Sequence, residues 1–318
     1  MDIPRIKIIP EDVSIWLVYS GLRRRHFDLF RARRAVFLET PGFNANENTF
    51  SDYDEIRNRL AMSDAIRKWQ LHQDGDRPTK RVGAYMPPNH NDSNFKSFNQ
   101  EVGNIERLFK EVKVGDIIMS PPLGHFKSFL MGEVTKGWSP DDVIEVPYFD
   151  NELVPVRKIK WLSGNVSRRD FPNNLAKRLI NRHAISEVDP VYTFDILQMV
   201  YPSFVWRNHS KLDLYGTRYQ GDDPIQVLES AKLLKFAVAA SMAHDLGKFD
   251  DFQSLSYSKA IEKYYNKELI EQFGINFNSP GLLRAILENA TASPKIAAYI
   301  AVLTSSTAQP LAEVKKAV

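Results

Sequence analysis

The alternation of apolar and polar positions changes character along this chain. Ser14–Ser20 is a short apolar run rich in β-forming residues and closed by Gly21, and Ala35–Leu38 is a second. Both predict strands. Ser51, followed by Asp54 and Glu55, has the form of a helix start and predicts a helix through Glu55–Arg67. Asn99–Glu111 has helical spacing, with Val102, Ile105, Leu108 and Phe109 on one face. Four strand signals follow closely, at Asp116–Ser120, Ser128–Thr135, Val143–Pro147 and Val156–Leu162. Turns at Pro121-Pro122-Leu123-Gly124 and Gly137-Trp138-Ser139-Pro140 separate the first three. Consecutive strands with short turns predict an antiparallel, strongly curved sheet or small barrel. Asn165–His183 reads as a loop and a terminal helix, and Leu71–Asn94 as a long polar excursion broken by proline and glycine.

Beyond Asp189 the pattern lengthens. Asp222-Asp223-Pro224 opens a helical pattern rich in Ala, Leu and Val that runs through Leu246 and stops at Gly247. Ser256–Phe273, Ser279–Asn289, Pro294–Leu303 and Leu311–Val318 continue as predicted helices. Met199–Tyr219, rich in aromatic residues, has no clear period. The expectation is an α+β protein of two domains: a curved antiparallel barrel with flanking helices over 1–189, and a mainly α-helical domain over 190–318.

Composition narrows the chemistry. The 318 residues include no Cys, which excludes disulfide scaffolds, thiolate metal sites and Cys nucleophiles, and is compatible with a cytoplasmic setting. No apolar run reaches the ~18 residues of a membrane helix, so membrane insertion is not expected. The formal charge of +3 hides an asymmetry: residues 1–189 hold 29 Lys+Arg against 26 Asp+Glu, and the rest hold 13 of each. Six arginines (Arg23, Arg24, Arg25, Arg31, Arg33 and Arg34) fall within twelve residues, and a second cluster begins at Arg157, Lys158 and Lys160. Arginine forks suit phosphate, so the clusters point to nucleic acid. Their alternative is a solvated surface.

The order of signals in the first domain resembles a known family. Ile15-Trp16-Leu17-Val18 is followed by a basic stretch and Val36-Phe37-Leu38. Val114-Gly115-Asp116-Ile117-Ile118, Met131-Gly132-Glu133-Val134-Thr135 and Arg157-Lys158-Ile159-Lys160-Trp161-Leu162 come after the polar excursion. This set, over about 12–188, is similar to the EVE-like/PUA-like domains of bacterial restriction and anti-phage defence proteins. The resemblance implies a curved barrel whose mouth holds a modified or flipped base of DNA, or RNA, without catalysis and without a cofactor. It implies Trp16, Phe43, Trp138 and Trp161 as aromatic walls, His125 at a base edge, and Arg23, Arg24, Arg25, Arg157, Lys158 and Lys160 at phosphates. A tryptophan in an apolar strand such as Trp16 is equally suited to the core. The second domain would mediate homo-oligomer formation or couple to a co-encoded effector protein.

A different chemistry competes. Met242-Ala243-His244-Asp245-Leu246-Gly247-Lys248 resembles the central motif of HD-type metal-dependent phosphohydrolases, with His209 upstream as a further ligand. The metal set of that alternative is His209, His244 and Asp245. A helix C-terminus, with His244 and Lys248 facing the dipole and Gly247 ending it, accounts for the same residues.

Overall fold

The computed structural model describes residues 6–70, 98–124, 127–162, 166–179, 183–216, 224–276, 281–287 and 291–304. The chain divides into two compact units, one of residues 12–200 and one of 1–11 together with 201–318. The first strand, β1 (Lys7–Ile8), therefore belongs with the C-terminal part of the chain, and the break after the first unit falls eleven residues beyond the Asp189/Pro190 step in composition.

In the 12–200 unit the sequence signals become β2 (Ile15–Val18), α1 (Phe27–Arg33), β3 (Ala35–Val36) and α2 (Tyr53–Gln70). Helix α3 (Asn99–Glu106) ends in a π turn over Arg107–Glu111, followed by β4 (Ile117–Ser120) and β5 (Leu130–Val134). Then come β6 (Val143–Val146), β7 (Glu152–Pro155), β8 (Arg157–Trp161), α4 (Asn173–Arg178), β9 (Ile185–Glu187) and α5 (Thr193–Val200). Six strands form one curled half-barrel sheet in the order β3-β8-β5-β4-β2-β9, and β6 and β7 form a separate hairpin. All pairings in the large sheet are antiparallel except β2 with β4. Strand β2 lies inside the sheet, between β4 and β9, and is buried at all four positions, which is why it reads as an unbroken apolar run rather than an alternating one. The core is built on Val18, Phe30, Phe37, Leu60, Ile105 and Val134, so α1, α2 and α3 pack on the sheet through their apolar stripes.

Gly132 on β5 is needed for the sheet to close. A Cβ there would stand 2.3 Å from Ile159 Cγ2 and 2.5 Å from Trp161 Cε3. The bare glycine lets the Trp161 indole lie across the neighbouring strand, where Nε1 donates to the Phe30 carbonyl at 3.0 Å.

The second unit corrects the expectation of a mainly helical domain. Strand β1, β10 (Phe204–Trp206), β11 (His209–Gly216) and two later strands form a five-stranded sheet. Helices α6 (Pro224–Asp245), α7 (Phe249–Ser254) and α8 (Tyr257–Tyr264) follow β11. Of the segments expected to be helices, Ser256–Phe273 is helical over α8 but its end enters β12 (Ile270–Asn276), and Ser279–Asn289 instead supplies β13 (Gly281–Leu287), paired antiparallel with β12. The reason is physical. Ala285, Ile286 and Leu287 are buried in succession, and a short apolar run covered on both faces has no alternation to separate it from a helix. Helix α9 (Ala292–Thr304) is where the spacing placed it, and the expected helix at Leu311–Val318 and the excursion at Leu71–Asn94 lie outside the described residues.

Strand β11 buries Lys211 at 1% exposure, with Nζ donating to the Tyr201 carbonyl at 2.9 Å and 3.3 Å from Asp213. Burial pushes the Lys211 ammonium down to about 8, with the Asp213 carboxylate opposing. Asp213 also takes a forked pair of bonds from Arg284 on β13, at 2.8 and 2.9 Å. No helix among the described residues is long and apolar enough to cross a membrane.

Candidate nucleic-acid interface

The loop after β2 gathers the polar groups of the first unit. Gly21 has φ +78°, ψ −179°, a conformation open essentially to glycine alone. A Cβ there would stand 2.3 Å from Glu39 Oε1 and 2.7 Å from His26 Cδ2. Glu39 Oε1 is thereby free to accept from the Leu22 N–H at 3.3 Å, to pair with His26 Nε2 at 3.0 Å and to accept from Arg25 Nε at 2.9 Å. Burial alone would raise the Glu39 carboxyl. The His26 hydrogen bond, the Arg25 charge and the Leu22 N–H outweigh it and hold the group below its ordinary value. His26 is itself buried against Phe37, Tyr148 and Phe149, so Glu39 is pinned from beneath as well as from the loop.

Arg23 and Arg24 both hold left-handed backbone, φ +53° and +57°. Such angles are uncommon for non-glycine residues and strain the chain by about 1–2 kcal/mol each. The result is that three consecutive arginines go three ways. Arg25 turns to Glu39 and sits 4.2 Å over the Tyr148 ring. Arg24 lies over the Tyr19 ring at 5.3 Å. Arg23 lines a cavity of 420 Å³.

That cavity is within the ~300–1,000 Å³ typical of small-molecule sites. Its apolar wall is Tyr19, Leu22, Leu38, Leu60 and Ile105, α3 supplies Gln100, Glu101 and Asn104, and Glu39 also lines it. Asn104 is only 6% exposed, and its Oδ1 has no hydrogen-bond partner among the described residues. Gln100 Nε2 and His183 Nδ1 stand 3.3 Å apart across the lining. Arg67 also lines the cavity, but its guanidinium is held by Asp64 at 2.6 Å. Asn104 lines the cavity with Oδ1 itself covered, so a small rotation of its side chain would present an acceptor to a planar ligand that offers an N–H, with Arg23 as a cation on the same lining.

The residues expected at a nucleic-acid surface divide sharply. Arg23, Arg24 and Arg25 are at the cavity loop. Trp16 is in the core at 4% exposure, its Nε1 donating to Asp116 Oδ2 at 3.0 Å, and Phe43 is in the core at 1%. Neither can stack on a ligand, because an apolar strand and the cluster beside Phe50 cover them on all sides. Arg157 is a further correction. It is buried at 3% exposure with Nη2 donating to the Val112 carbonyl at 3.0 Å, and no phosphate can reach it. Burial lowers its pKa and the Asp142 and Asp116 carboxylates oppose that shift. Lys158 is half-buried and Lys160 exposed on the opposite face of β8. Trp138 packs its ring on Phe50 and Phe109 with centroids 4.7 and 5.9 Å away, and its Nε1 is buried without a partner. Trp161 is half-buried over Gly132, and His125 lies outside the described residues.

The structure adds Tyr19, Asn104, Gln100 and His183, none of which the sequence reading singled out. Asn104 left a trace there: it is a polar residue inside the stripe of Val102, Ile105 and Leu108, which are all buried. The residues of the phosphohydrolase alternative are not gathered. His209 lies on β11 with Nδ1 3.5 Å from Glu271, while His244 and Asp245 end α6 and Asp245 is bound by Lys295. Among the described residues no group of three His, Asp or Glu side chains could hold a metal ion. Comparison with protein-family models, with curated proteins and with solved structures returns no match for this chain.

Proposed function

We propose that residues 12–200 bind nucleic acid, DNA or RNA, by admitting one base to the cavity between Tyr19 and Asn104. The reading keeps the role implied by the EVE-like/PUA-like resemblance: a non-enzymatic, cytoplasmic sensor of modified or extruded bases in anti-phage defence or restriction. The observation that carries it is the Asn104 carbonyl, buried and unpartnered on a 420 Å³ cavity whose rim holds Arg23. A buried acceptor without a partner is costly, and a base edge presenting an N–H removes that cost. Tyr19 offers the aromatic surface, backed by the Arg24 guanidinium on its ring. Partnership with a co-encoded effector or a second copy belongs to the same proposal. The support for it is β12, a strand at the edge of the second sheet with Phe273 45% exposed.

Equilibrium binding of labelled single-stranded and duplex oligonucleotides across a salt series tests the reading. Wild type binds with an affinity that falls as salt rises, and Arg23→Ala lowers the slope of log K against log salt by about one. Asn104→Leu, which removes only the base contact, weakens binding at least tenfold with the slope unchanged. Wild-type protein that shows no salt-dependent binding to either DNA or RNA overturns the reading.

A further inference from the structure

A second hollow adjoins the cavity and differs from it in charge. It measures 110 Å³ and is lined by Arg24, Lys127 and Arg168 against Pro121, Pro122 and Gly124, with no carboxylate among the described residues of its walls. Its cations are differently held. Arg168 is fixed, its Nη2 donating to the Ala176 carbonyl at 2.9 Å, in a turn closed by the Ser167–Asp170 capping box. Arg24 is half-buried, and its Nε is fully covered yet has no hydrogen-bond partner. Lys127 is exposed, with no ion pair among the described residues. Gly124, at φ +95°, has open space where a side chain would stand.

We propose that this hollow binds a single phosphate group. Three convergent cations, two of them guanidinium forks, match a tetrahedral anion that accepts on every face. The volume admits one such group and leaves no room for a sugar or base.

The hollow is coupled to the cavity through Tyr19. That ring lines the cavity, carries Arg24 on its face, and donates its hydroxyl to the carbonyl of Leu179, a residue of the hollow, at 2.6 Å. Arg23 and Arg24 are consecutive, their Cα atoms about 3.8 Å apart, and left-handed backbone at both sends one into each opening. This spacing assigns the phosphate to the nucleotide whose base enters the cavity, or to its immediate neighbour. That assignment rests on the nucleic-acid reading above; phosphate binding itself does not. The strained pair of arginines is accounted for as the device that divides base from phosphate.

Two titrations of the full chain test this. In the first, inorganic phosphate is added while the arginine Nε–Hε resonances are followed by NMR. One resonance, identified by its loss in Arg24→Lys, shifts saturably; Lys127→Ala weakens that binding at least fivefold, and Lys160→Ala leaves it unchanged. No saturable shift, or a shift indifferent to Lys127→Ala, overturns the site. In the second, a labelled single-stranded oligonucleotide is bound across a salt series, and Lys127→Ala lowers the slope by about one. Phosphate binding with no oligonucleotide binding by wild type keeps the site and rejects the nucleic-acid reading. Oligonucleotide binding equal in slope and affinity for wild type and Lys127→Ala rejects the assignment of the site to the strand.

Discussion

The two basic clusters of the first unit look alike as sequence and behave differently as structure. Arg157, Lys158 and Lys160 lie on a strand, whose period of two sends alternate side chains to opposite faces. Arg157 therefore shares the inward face with Ile159 and Trp161, where Nη2 donates to the Val112 carbonyl, the Asp142 and Asp116 carboxylates offset its charge, and Nε is left without a partner among the described residues. Arg23, Arg24 and Arg25 lie on a loop whose backbone is left-handed at Arg23 and Arg24, and each goes to a separate task. The comparison teaches that the density of arginines says little about ligand binding. What separates a structural cation from a binding one is whether the fold leaves it within reach of a ligand: Arg157 is only 3% exposed, whereas Arg23 and Arg24 line openings.

The strongest way to break that contrast is to remove one cation from each cluster. Arg157→Ala should destabilise the first unit by about 3 kcal/mol, because it strips a buried hydrogen-bonded charge from its partners. Urea denaturation measures this, and oligonucleotide binding by the protein that remains folded should be unchanged. Stability within 0.5 kcal/mol of wild type, as for ordinary surface substitutions, would place Arg157 with the loop arginines instead.

Gly21→Ala comes next. A Cβ at φ +78° and 2.3 Å from Glu39 Oε1 should cost about 2 kcal/mol and weaken binding as well, since Glu39 orders the arginine loop. A variant of normal stability and binding would show that the loop is not held through Glu39.

Acidification sharpens the same point more gently. The folded Glu39 carboxyl titrates below its ordinary 4.5, so its stabilising contribution is complete above that pH and is lost as pH falls through the folded value. Denaturation midpoints for Glu39→Gln should therefore lack one component of the acid-induced loss seen in wild type. Curves that remain parallel to low pH would contradict this. The smallest effect belongs to Lys160→Ala, an exposed side chain. Its removal should leave stability unaltered within 0.5 kcal/mol and change oligonucleotide affinity less than twofold, as read by anisotropy.

How much of this was legible beforehand follows from the range of the interactions. The curled sheet was legible because β4, β5 and β8 each carry apolar runs bounded by turns, and such signals are local. Strand β7 (Glu152–Pro155) and the β12–β13 pair were not, since neither has a clear period to mark it. The inward course of Arg157 could have been read from its alternation with Ile159 and Trp161. The candidate cavity could not. It brings Tyr19, Leu38, Leu60, Asn104 and His183 from separate elements to one place, and no spacing along the chain records that meeting.

The most direct measurement is the affinity of wild type and Asn104→Leu for two oligonucleotides that differ only by one abasic position. A base held in the cavity requires wild type to lose at least tenfold when the favoured base is missing, and Asn104→Leu to bind both strands equally. Equal affinity of wild type for the two strands, at every position of the missing base, would contradict the account.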